Sequence, residues 1–241
     1  QDPMTKSYVI HLAASTARTD LVSALVQTLP GGQVLDAVDG RKMSAQERAQ
    51  VSVPHLLDPR YPFPLMPSEI GCFLSHRKAW KAIAEGEADF GFVAEDDVVT
   101  TDGFADALQI ALDHADRQSL IRFPMAPREK PKSVVATKGY VRLFRPQEIG
   151  LTAALYLLGK DAAHSLWSQS ERFDRPVDTW LQMRWETGVD SLTLWPSCIK
   201  SAAASHGGST IQKKRSRMDQ LKRTWHRTRY RAAITSLSKG S

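Results

Sequence analysis

The first third of the chain alternates between short apolar runs and amphipathic stretches. Residues 8–12 and 33–38 are apolar runs of strand length. Between them, leucines recur at every fourth position from Leu21 to Leu29, a spacing that predicts a helix. Pro30 and the two glycines after it end this helix. A strand, a helix and a second strand in this order are typical of a parallel α/β sheet, in which ligands bind beyond the carboxyl ends of the strands.

A longer amphipathic stretch follows a proline-rich segment. Residues 54–67 contain five prolines and are expected to form an irregular loop. Pro67 then fits the first turn of a helix that Gly86 ends. The next apolar run, residues 90–94, has the length of a buried strand. Large apolar side chains recur along the predicted helix and mark its buried face: Ile70, Phe73, Leu74, Trp80 and Ile83.

The rest of the chain continues this mixture of helices and strands. Residues 133–136 and 140–144 alternate on either side of a Thr-Lys-Gly turn, which predicts a β-hairpin. The chain as a whole is therefore expected to be an α/β protein. The same criteria predict helices at residues 44–50, 104–114 and 162–169, a helix from residue 175 onward, and strands at residues 120–123, 150–158 and 191–195.

Three carboxylates in succession, Glu95, Asp96 and Asp97, follow the buried-strand run. Ionised carboxylates repel each other and are costly to desolvate, so such a cluster stays solvated, takes up protons or binds a cation. Because side chains alternate along a strand, Glu95 and Asp97 are expected on one side, where they can share one divalent ion. From these residues alone, a solvated acidic turn after a strand is the open alternative.

Composition places the chain among ordinary globular proteins. It has 241 residues, 42% hydrophobic and 24% charged, which is enough for one sizeable core. Residues 1–3, ahead of Met4, are expected to be a remnant of an expression vector. No apolar run reaches the length of a secretory or membrane-spanning segment, which predicts a cytoplasmic protein. Cys72 and Cys198 lack the spacing of a metal site and are expected to be reduced, buried thiols, with a disulfide as the open alternative.

The basic charge is concentrated in a tail at residues 213–241. This tail has ten Lys or Arg against one acid, a formal net charge of +9; the whole chain carries +6, so residues 1–212 are net acidic at −3. The spacing of its apolar residues allows a basic helix, which would lie on an anionic membrane surface; a solvated or disordered tail is the alternative. Nucleic-acid binding is not expected, because the acidic body lacks a helix-turn-helix, RNP or zinc pattern. Apolar residues recur within the tail as a thin stripe: Met218, Leu221, Trp225 and Ile234.

Two longer motifs stand out, GCFLSHRKAW at residues 71–80 and FVAEDDV at residues 92–98. With five further segments they resemble glycosyltransferase family 25, the lipopolysaccharide and lipooligosaccharide sugar transferases related to collagen galactosyltransferases. Together the motifs extend over residues 8–211 in the family's order, which is far more specific than a lone acidic triplet. The further segments are YVIHL at 8–12, DAVDGR at 36–41, GLTAALYLLGKDAAHSL at 150–166, RPVDTWL at 175–181 and PSCIKSAAASHGGSTI at 196–211.

The resemblance implies a glycosyltransferase A fold in residues 4–212, with a Rossmann-like mixed central sheet flanked by helices, followed by the basic tail. It implies transfer of a hexose, with galactose as the family expectation, from a UDP-sugar to a glycan or glycolipid acceptor of lipopolysaccharide type, with inversion. Such an enzyme would work in the cytoplasm, at the inner face of the membrane. The residues themselves do not distinguish galactose from glucose, because that choice depends on a few hydrogen bonds in a pocket.

The resemblance also implies a metal site at the acidic triplet. In this fold the motif binds Mn²⁺ or Mg²⁺, which bridges the diphosphate oxygens of the donor. Asp97 is then the first ligand, with Glu95 or Asp96 assisting through the ion or the ribose. A late histidine often completes the metal shell, and His206 stands in a Gly-rich loop after the last predicted strand. Related transferases often have Asp where this chain has Glu95, so direct or water-mediated binding by Glu95 stays open.

Further site residues follow from the same resemblance. Asp178 matches the Pro-x-Asp position and is expected to be the base that takes the proton of the acceptor hydroxyl, with Asp190 and Glu186 in reserve. Without the resemblance, His76 is interpreted as a hydrogen-bonded core histidine, and Asp178 as a surface carboxylate that the helix dipole keeps ionised. The residues expected to line the donor side are Arg18, Asp39, Arg41, Ser75, His76 and Asp96.

Two other functions stay open at this point. A glycoside hydrolase also uses two carboxylates, but it needs one with a raised pKa at a defined separation from the other, which a sequence does not show. A nucleotide-sugar or membrane-surface binding module without turnover would bind the donor and leave it intact. Arg142 and Arg145 on the predicted hairpin are interpreted as solvated rather than substrate-binding.

Overall fold

The computed structural model describes residues 5–202 and 217–240 and has a large mixed sheet at its centre. The strands are β1 (Lys6–His11), β2 (Gly32–Asp36), β3 (Phe90–Glu95), β4 (Val98–Thr100), β5 (Leu120–Arg122), β6 (Pro131–Lys138), β7 (Val141–Pro146), β8 (Leu155–Gly159), β9 (Leu192–Trp195) and β10 (Ile199–Ser201). Eight of them form the central sheet in the order β2-β1-β3-β8-β5-β9-β7-β6, and β4 pairs antiparallel with β10.

Helices cover both faces of this sheet. They are α1 (Thr19–Thr28), preceded by a 3-10 turn (Thr16–Arg18), α2 (Ala45–Val51), α3 (Pro67–Glu85), α4 (Phe104–Asp113), α5 (Lys160–Gln169), α6 (Val177–Leu181), α7 (Arg184–Thr187) and α8 (Arg217–Gly240). Strand β1 pairs parallel with β2 on one side and with β3 on the other, since α1 and α3 return the chain between them. The predicted strand–helix–strand start and the mixed α/β sheet are therefore confirmed.

The central strand β3 is buried on both faces, which explains its apolar sequence. Phe92 and Ala94 point into a core shared with α1 and α4, and Val93 points into a second core shared with α3 and α5. Strand β8 runs antiparallel between β3 and β5 and closes the middle of the sheet. The carboxyl ends of β1, β2 and β3 consequently meet at one edge of the molecule.

Aromatic packing fixes the short helix α6 against α3. Phe73 of α3 stacks on Phe173 with ring centroids 3.8 Å apart, and Trp80 stacks on Trp180 of α6 at 5.7 Å. All four rings are buried, and pairs of this kind stabilise a fold by about 0.5–1.5 kcal/mol beyond the area they bury. The beginning of α6 is thereby held beside the carboxyl end of β3.

The predicted strand at residues 150–158 is too long. Strand β8 begins only at Leu155, and residues 150–154 form a loop. The carbonyl of Gly150 accepts a hydrogen bond from the buried guanidinium of Arg122 at 2.8 Å. The carbonyl of Ala154 accepts one from the backbone N–H of Glu95 at 2.8 Å. These long-range contacts, which apolar periodicity does not reveal, give the segment its irregular course.

Part of the predicted basic tail forms helix α8, which packs on the rest of the protein. Ile234 is buried, whereas Trp225 is 55% exposed. The side chains of Met218 and Leu221 lie outside the described residues, so the apolar stripe is tested only in part. Among the described residues, no helix combines the length and the apolar character needed to cross a bilayer. Cys72 and Cys198 are both free thiols, as expected, but only Cys198 is buried, while Cys72 is partly exposed.

Candidate active site

The three carboxylates lie where β3 ends, beside the carboxyl ends of β1 and β2. Glu95 is the last residue of β3, and Asp96 and Asp97 form a turn that leads into β4. The predicted alternation therefore stops at Glu95 and does not set the direction of Asp97. The two carboxylates have different partners: Glu95 contacts α3, and Asp97 contacts β10.

Asp96 is the buried anchor of the triplet. Its Oδ2 lies 2.8 Å from Nδ1 of His11 at the end of β1, and its Oδ1 accepts a hydrogen bond from the Arg18 guanidinium. Asp96 is only 8% exposed, whereas the Arg18 side chain is 43% exposed. The ion pair holds Arg18 at the strand ends while part of its guanidinium stays open to a ligand.

Asp97 has an unsatisfied oxygen. Its Oδ2 accepts a hydrogen bond of 2.9 Å from Oγ of Ser201, whereas its Oδ1 is buried with no hydrogen-bond partner in the part of the chain that the structure describes. Burial raises the pKa of this carboxyl, and Glu95 adds to the rise, against the effect of the Ser201 hydrogen bond. An unpaired carboxylate oxygen beside other acids fits a hard divalent cation such as Mn²⁺ or Mg²⁺. His206 lies outside the described residues.

Glu95 is oriented by helix α3. Its Oε1 lies 3.3 Å from Nε2 of His76 and 3.8 Å from the thiol of Cys72. His76 is fully buried, and its Nδ1 lies 2.8 Å from the Tyr156 hydroxyl, which also accepts a hydrogen bond from Trp80 Nε1 at 2.7 Å. His76 is thus a hydrogen-bonded core histidine that also lines the cleft. Its polar role is to fix one oxygen of Glu95.

Cys72 is a site residue that the sequence analysis missed. Cys72, His76 and Glu95 each offer a ligand atom within 4.8 Å of the others. Burial raises the pKa of the Cys72 thiol, and the charge of Glu95 raises it further, so the thiol stays protonated at neutral pH. The available signal was helical spacing, because Cys72 stands one turn before His76 on the face that meets the strand end.

The predicted donor-side residues line one cleft. A cavity of about 460 Å³ lies beyond the ends of β1, β2 and β3. Asp39 and Arg41 form a two-bond ion pair on its rim, with Nε–Oδ1 at 2.8 Å and Nη2–Oδ2 at 3.1 Å, and hydrogen bonding from Arg41 lowers the pKa of Asp39. All predicted donor-side residues and the other two carboxylates of the triplet line this cavity: Arg18, Asp39, Arg41, Ser75, His76, Glu95, Asp96 and Asp97.

The wall of this cleft depends on close backbone contact between the loop after β2 and helix α3. Oγ of Ser75 accepts a hydrogen bond from the Val38 N–H at 2.8 Å and donates one to the Gly71 carbonyl at 2.7 Å. A Cβ on Gly40 would lie 1.8 Å from the Pro67 carbonyl oxygen, and a Cβ on Gly71 would lie 2.4 Å from that of Val38. Only glycine fits at either position.

Asp178 shares a second cavity with Glu95. This cavity of about 310 Å³ is lined by Cys72, Glu95 and Asp178, and Cys72 and Glu95 also line the cleft at the strand ends. Oδ1 of Asp178 accepts hydrogen bonds from the Thr179 N–H at 2.7 Å and hydroxyl at 3.2 Å. Burial nevertheless raises the pKa of Asp178, with a further contribution from Glu95. The expectation of a surface carboxylate favoured by the helix dipole is therefore wrong, because α6 has only five residues and burial dominates.

The two reserve candidates lie elsewhere. Neither Asp190 nor Glu186 is among the residues that line the described cavities around Asp178. Asp190 forms ion pairs with Arg145 and with Arg184, the latter at 3.5 Å. Arg145 is thus paired rather than solvated, while Arg142 is exposed as expected.

A larger cavity of about 890 Å³ opens beyond Asp178. Its walls come from the proline-rich loop, from the segments before and after the β6–β7 hairpin, from α6 and from α8. The sequence did not predict this cavity, because its lining residues share no local motif and come together only through tertiary packing. The residues concerned include Tyr61, Phe63, Arg128, Glu148, Arg227, Tyr230 and Arg231.

Comparison with known proteins identifies relatives of this chain. The family model described as glycosyltransferase family 25 (LPS biosynthesis protein) matches residues 4–181. Procollagen galactosyltransferase 2 of Homo sapiens is 33% identical over 91 residues, which cover 36% of this chain and 14% of that protein. A probable inactive glycosyltransferase 25 family member 3 of Bos taurus is 27% identical over 207 residues, covering 82% of this chain and 35% of that protein.

Two further similarities complete the comparison. The rat protein of the same name as the bovine one is 30% identical over 208 residues, covering 82% of this chain and 36% of that protein. The chain thus spans about a third or less of the curated relatives named here. Among solved structures, the inositol-1-phosphate CTP transferase from T. maritima has a TM-score of 0.42 at 13% identity, covering 99% of this chain and 98% of that one.

Proposed function

Because the chain belongs to glycosyltransferase family 25, we propose that it transfers a hexose, galactose, from a UDP-sugar to a glycan or glycolipid acceptor of lipopolysaccharide type, with inversion and with the help of a divalent metal. One observation carries this proposal. The cleft that holds Glu95 and Asp97 adjoins the cavity that holds Asp178, so a leaving group and an attacking hydroxyl can meet between them.

Donor binding is assigned to the cleft at the strand ends. Arg18, held by Asp96, offers the remaining donors of its guanidinium to a diphosphate oxygen. Asp39, with a lowered pKa, is ionised at neutral pH and accepts hydrogen bonds from ribose hydroxyls. Arg41 keeps this carboxylate in place, with a side chain that is 65% exposed at the rim. These groups suit the ribose and the diphosphate of a nucleotide once a cation offsets the excess of carboxylates in the cleft.

Metal binding is assigned to Asp97 and Glu95. The buried free oxygen of Asp97 and the Glu95 carboxylate, fixed by His76, supply hard oxygen ligands. When bound, Mn²⁺ or Mg²⁺ neutralises the charge that develops on the departing diphosphate. His206 stays a predicted third ligand. Ser201 holds the second oxygen of Asp97 and so limits the directions in which the first can point.

Asp178 is assigned the role of base. Thr179 holds its Oδ1, and Oδ2 accepts the proton of the acceptor hydroxyl as that oxygen attacks the sugar. The raised pKa makes Asp178 a stronger base than a solvated aspartate. Attack from this side, with the diphosphate leaving toward Asp97, inverts the anomeric carbon.

The choice of sugar and acceptor rests on the names of the relatives. The matched human protein is named a procollagen galactosyltransferase, and the family description mentions LPS biosynthesis. Galactose and a lipopolysaccharide acceptor are proposed on that basis. A cytoplasmic location at the inner face of the membrane, reached through the basic tail, stays a prediction from the charge of that tail.

The test is calorimetric binding of a panel of nucleotide sugars with and without Mn²⁺, repeated on Asp97→Ala. We expect one donor to bind in a metal-dependent manner and the variant to lose that dependence. Donor binding that is identical in the variant and without metal would remove the metal from the proposal. No binding of any donor would overturn the transferase assignment.

A binding protein without turnover is the second candidate, because two of the matched relatives are named as probable inactive members of the family. This candidate predicts the same donor binding but no donor consumption. Release of UDP in the presence of a lipopolysaccharide-derived oligosaccharide distinguishes the two functions. UDP release that Asp178→Asn abolishes supports the transferase.

A further inference from the structure

One face of α8 closes the large cavity beyond Asp178. Arg227, Tyr230, Arg231, Ile234 and Thr235 share this face, since they are spaced three and four residues apart. Ile234 is buried, and the Thr235 hydroxyl donates a hydrogen bond of 3.0 Å to Glu148. These contacts hold the helix against the protein and fix the position of the two arginines.

Tyr230 is the main attachment point of this face. Its hydroxyl accepts a hydrogen bond of 3.0 Å from Nη1 of the buried Arg175, and its ring meets that of Tyr61 edge to face at 5.5 Å. Arg175 is itself paired with Asp174 and donates to the Leu57 carbonyl at 2.9 Å. The proline-rich loop, α6 and α8 therefore meet at one rigid point.

Three arginines line this cavity, and none of them has a counter-ion among the side chains that the structure describes. Among the described side chains, which are those of residues 5–202 and 225–238, no carboxylate forms an ion pair with Arg128, Arg227 or Arg231. Other arginines of the protein do have carboxylate partners, as in the Arg122–Glu129 pair. The three guanidinium groups are therefore available to an anion.

The acids of the same cavity already have hydrogen-bond donors. Glu69 accepts from the backbone N–H of Met66 at 2.7 Å, at the start of α3. Glu148 accepts from Thr235, and Asp178 accepts from Thr179. Each of these carboxylates thus has a hydrogen-bond donor, whereas the three guanidinium groups have no hydrogen-bond acceptor among the described side chains; the formal charges of the lining balance.

Aromatic rings stand beside these arginines. The Arg227 guanidinium lies 5.5 Å from the centre of the Phe63 ring, and Tyr61 and Phe63 pack edge to face at 5.8 Å. Burial and the charges of Glu69 and Asp178 raise the pKa of Tyr61 to about 12, so its hydroxyl stays neutral. Flat rings with neutral hydroxyls suit a pyranose, and guanidinium forks suit carboxylate or phosphate. A volume of about 890 Å³ is enough for a short oligosaccharide.

We propose that the acceptor is an acidic saccharide, and that Arg128, Arg227 and Arg231 bind its carboxylate or phosphate group while a neutral hydroxyl of the same saccharide lies at Asp178. This inference rests on the proposed function and specifies its acceptor. The charged group is the shared chemistry, and either a uronic acid or a sugar phosphate provides it. Helix α8 is then a wall of the acceptor site.

A lipid surface is the competing use of the basic helix. The face with Tyr230 and Ile234 packs on the protein and is not available to a bilayer. On the opposite face, Arg229 stacks over Trp225 at 4.6 Å, and neither lines the cavity. Arg229 therefore provides a control for the cavity arginines, with the same chemistry on the same helix.

The test is ligand-observed NMR titration of the full chain with glucuronate, glucose 6-phosphate and glucose. We expect both anionic sugars to bind about tenfold more tightly than glucose at low salt. The double variant Arg227→Gln/Arg231→Gln should reduce this preference to within twofold, whereas Arg229→Gln should keep it. Arg128→Gln should give a smaller loss. The cavity arginines are exposed, so the variants should unfold at the wild-type temperature.

Three outcomes would overturn the inference. They are equal binding of glucose and the anionic sugars, an equal loss in Arg229→Gln, and binding of inorganic phosphate as tight as that of glucose 6-phosphate. Binding to vesicles with anionic lipid tests the competing use of α8. If the wild type binds these vesicles and shows no preference among the sugars, the helix binds a lipid surface and the inference is overturned.

Donor binding is measured on the same samples, so that two failures can be told apart. If a nucleotide sugar binds but the anionic sugars do not, the inference fails and the proposed function stands. If the anionic sugars bind but no nucleotide sugar does, the cavity binds acids and the transferase assignment fails.

Discussion

The two sides of the cleft are built differently. On the proposed donor side, polar groups are paired with one another before any ligand arrives: Asp96 with His11 and Arg18, and Asp39 with Arg41. On the proposed acceptor side, arginines line a cavity nearly twice as large and lack counter-ions among the described residues. The first side is therefore preorganised before a ligand binds, while the second still has cationic groups that a ligand would pair.

The difference also lies in how each side is supported. The proposed donor side is built on strand ends and on the long helix α3, and close backbone contacts keep these elements from shifting. The acceptor side joins a proline-rich loop to a helix far away in sequence through a few side chains such as Tyr230. Changes on the donor side should therefore abolish binding or chemistry, while changes on the acceptor side should adjust affinity.

The largest effect is expected at Asp178, where the two sides meet. Asp178→Asn should lower the transfer rate by roughly 10²–10⁴-fold, because the acceptor hydroxyl loses its base. Donor affinity should stay within about twofold of the wild type. The measurement is steady-state transfer alongside donor calorimetry. Glu186→Gln, an exposed change that removes the same charge, is the control and should leave both unchanged.

A second large effect is expected at Asp97, on the donor side alone. Asp97→Asn should weaken Mn²⁺-dependent donor binding by about tenfold or more, because the buried oxygen no longer offers a charge to the cation. Asp102→Asn, at an exposed turn nearby, should have no effect.

Thermal unfolding adds a second readout for Asp97. Burial raises the pKa of this group in the folded protein, so its ionised form costs stability above that pKa, and the cost disappears below the unfolded value of about 3.9. The metal-free Asn variant should therefore unfold at the wild-type temperature or above it at pH 7. A clear fall would show that Asp97 supports the fold and would weaken its assignment as a ligand.

An effect of intermediate size is expected in the pH dependence of the transfer rate. The base must be ionised, so the transfer rate at saturating donor should fall about tenfold per pH unit below the pKa of Asp178, which burial raises above the ordinary value of about 3.9. Donor binding is measured at each pH, because Asp97 titrates in the same direction. An acid limb centred below the ordinary value would contradict the role of Asp178.

The smallest effect is expected at the attachment of α8. Tyr230→Phe removes the hydroxyl that accepts from Arg175 and should cost about 1 kcal/mol, or roughly 2–4 °C in unfolding temperature. Affinity for the acceptor should fall a few-fold, with donor binding unchanged. Tyr140→Phe, which removes an exposed hydroxyl bonded to the Asp102 carbonyl, is the matched control. Equal losses in donor and acceptor binding would mean that α8 supports the whole fold.

The sequence predicted which residues meet in the cleft at the strand ends, because that arrangement depends on local patterns. An apolar run followed by Glu95, Asp96 and Asp97 marks a strand end, and helical spacing places Ser75 and His76 on α3. The predictions that proved wrong concern details that tertiary contacts determine. Asp97 leaves the strand alternation because β3 ends at Glu95, and burial reverses the effect expected from the helix dipole on the pKa of Asp178.

The acceptor half could not be predicted by the same means. Tyr61, Arg128 and Arg227 come from three distant segments, and none stands in a motif that indicates a ligand. The basic tail was predicted as a helix from its charge and apolar spacing, but charge alone does not say what the helix contacts. The exact fit of Tyr230 against Arg175 and Tyr61 decides that, and it is visible only in three dimensions.

The glycine contact between the loop after β2 and helix α3 has a consequence for protein engineering. The backbone atoms around Gly40 and Gly71 are so close that no Cβ fits between them. This wall therefore fixes the width of the cleft. A directed-evolution library aimed at a new donor should keep both glycines constant. Diversity is better introduced at neighbouring lining positions such as Val38 and Ser68, where side chains can change size while the backbone stays in register.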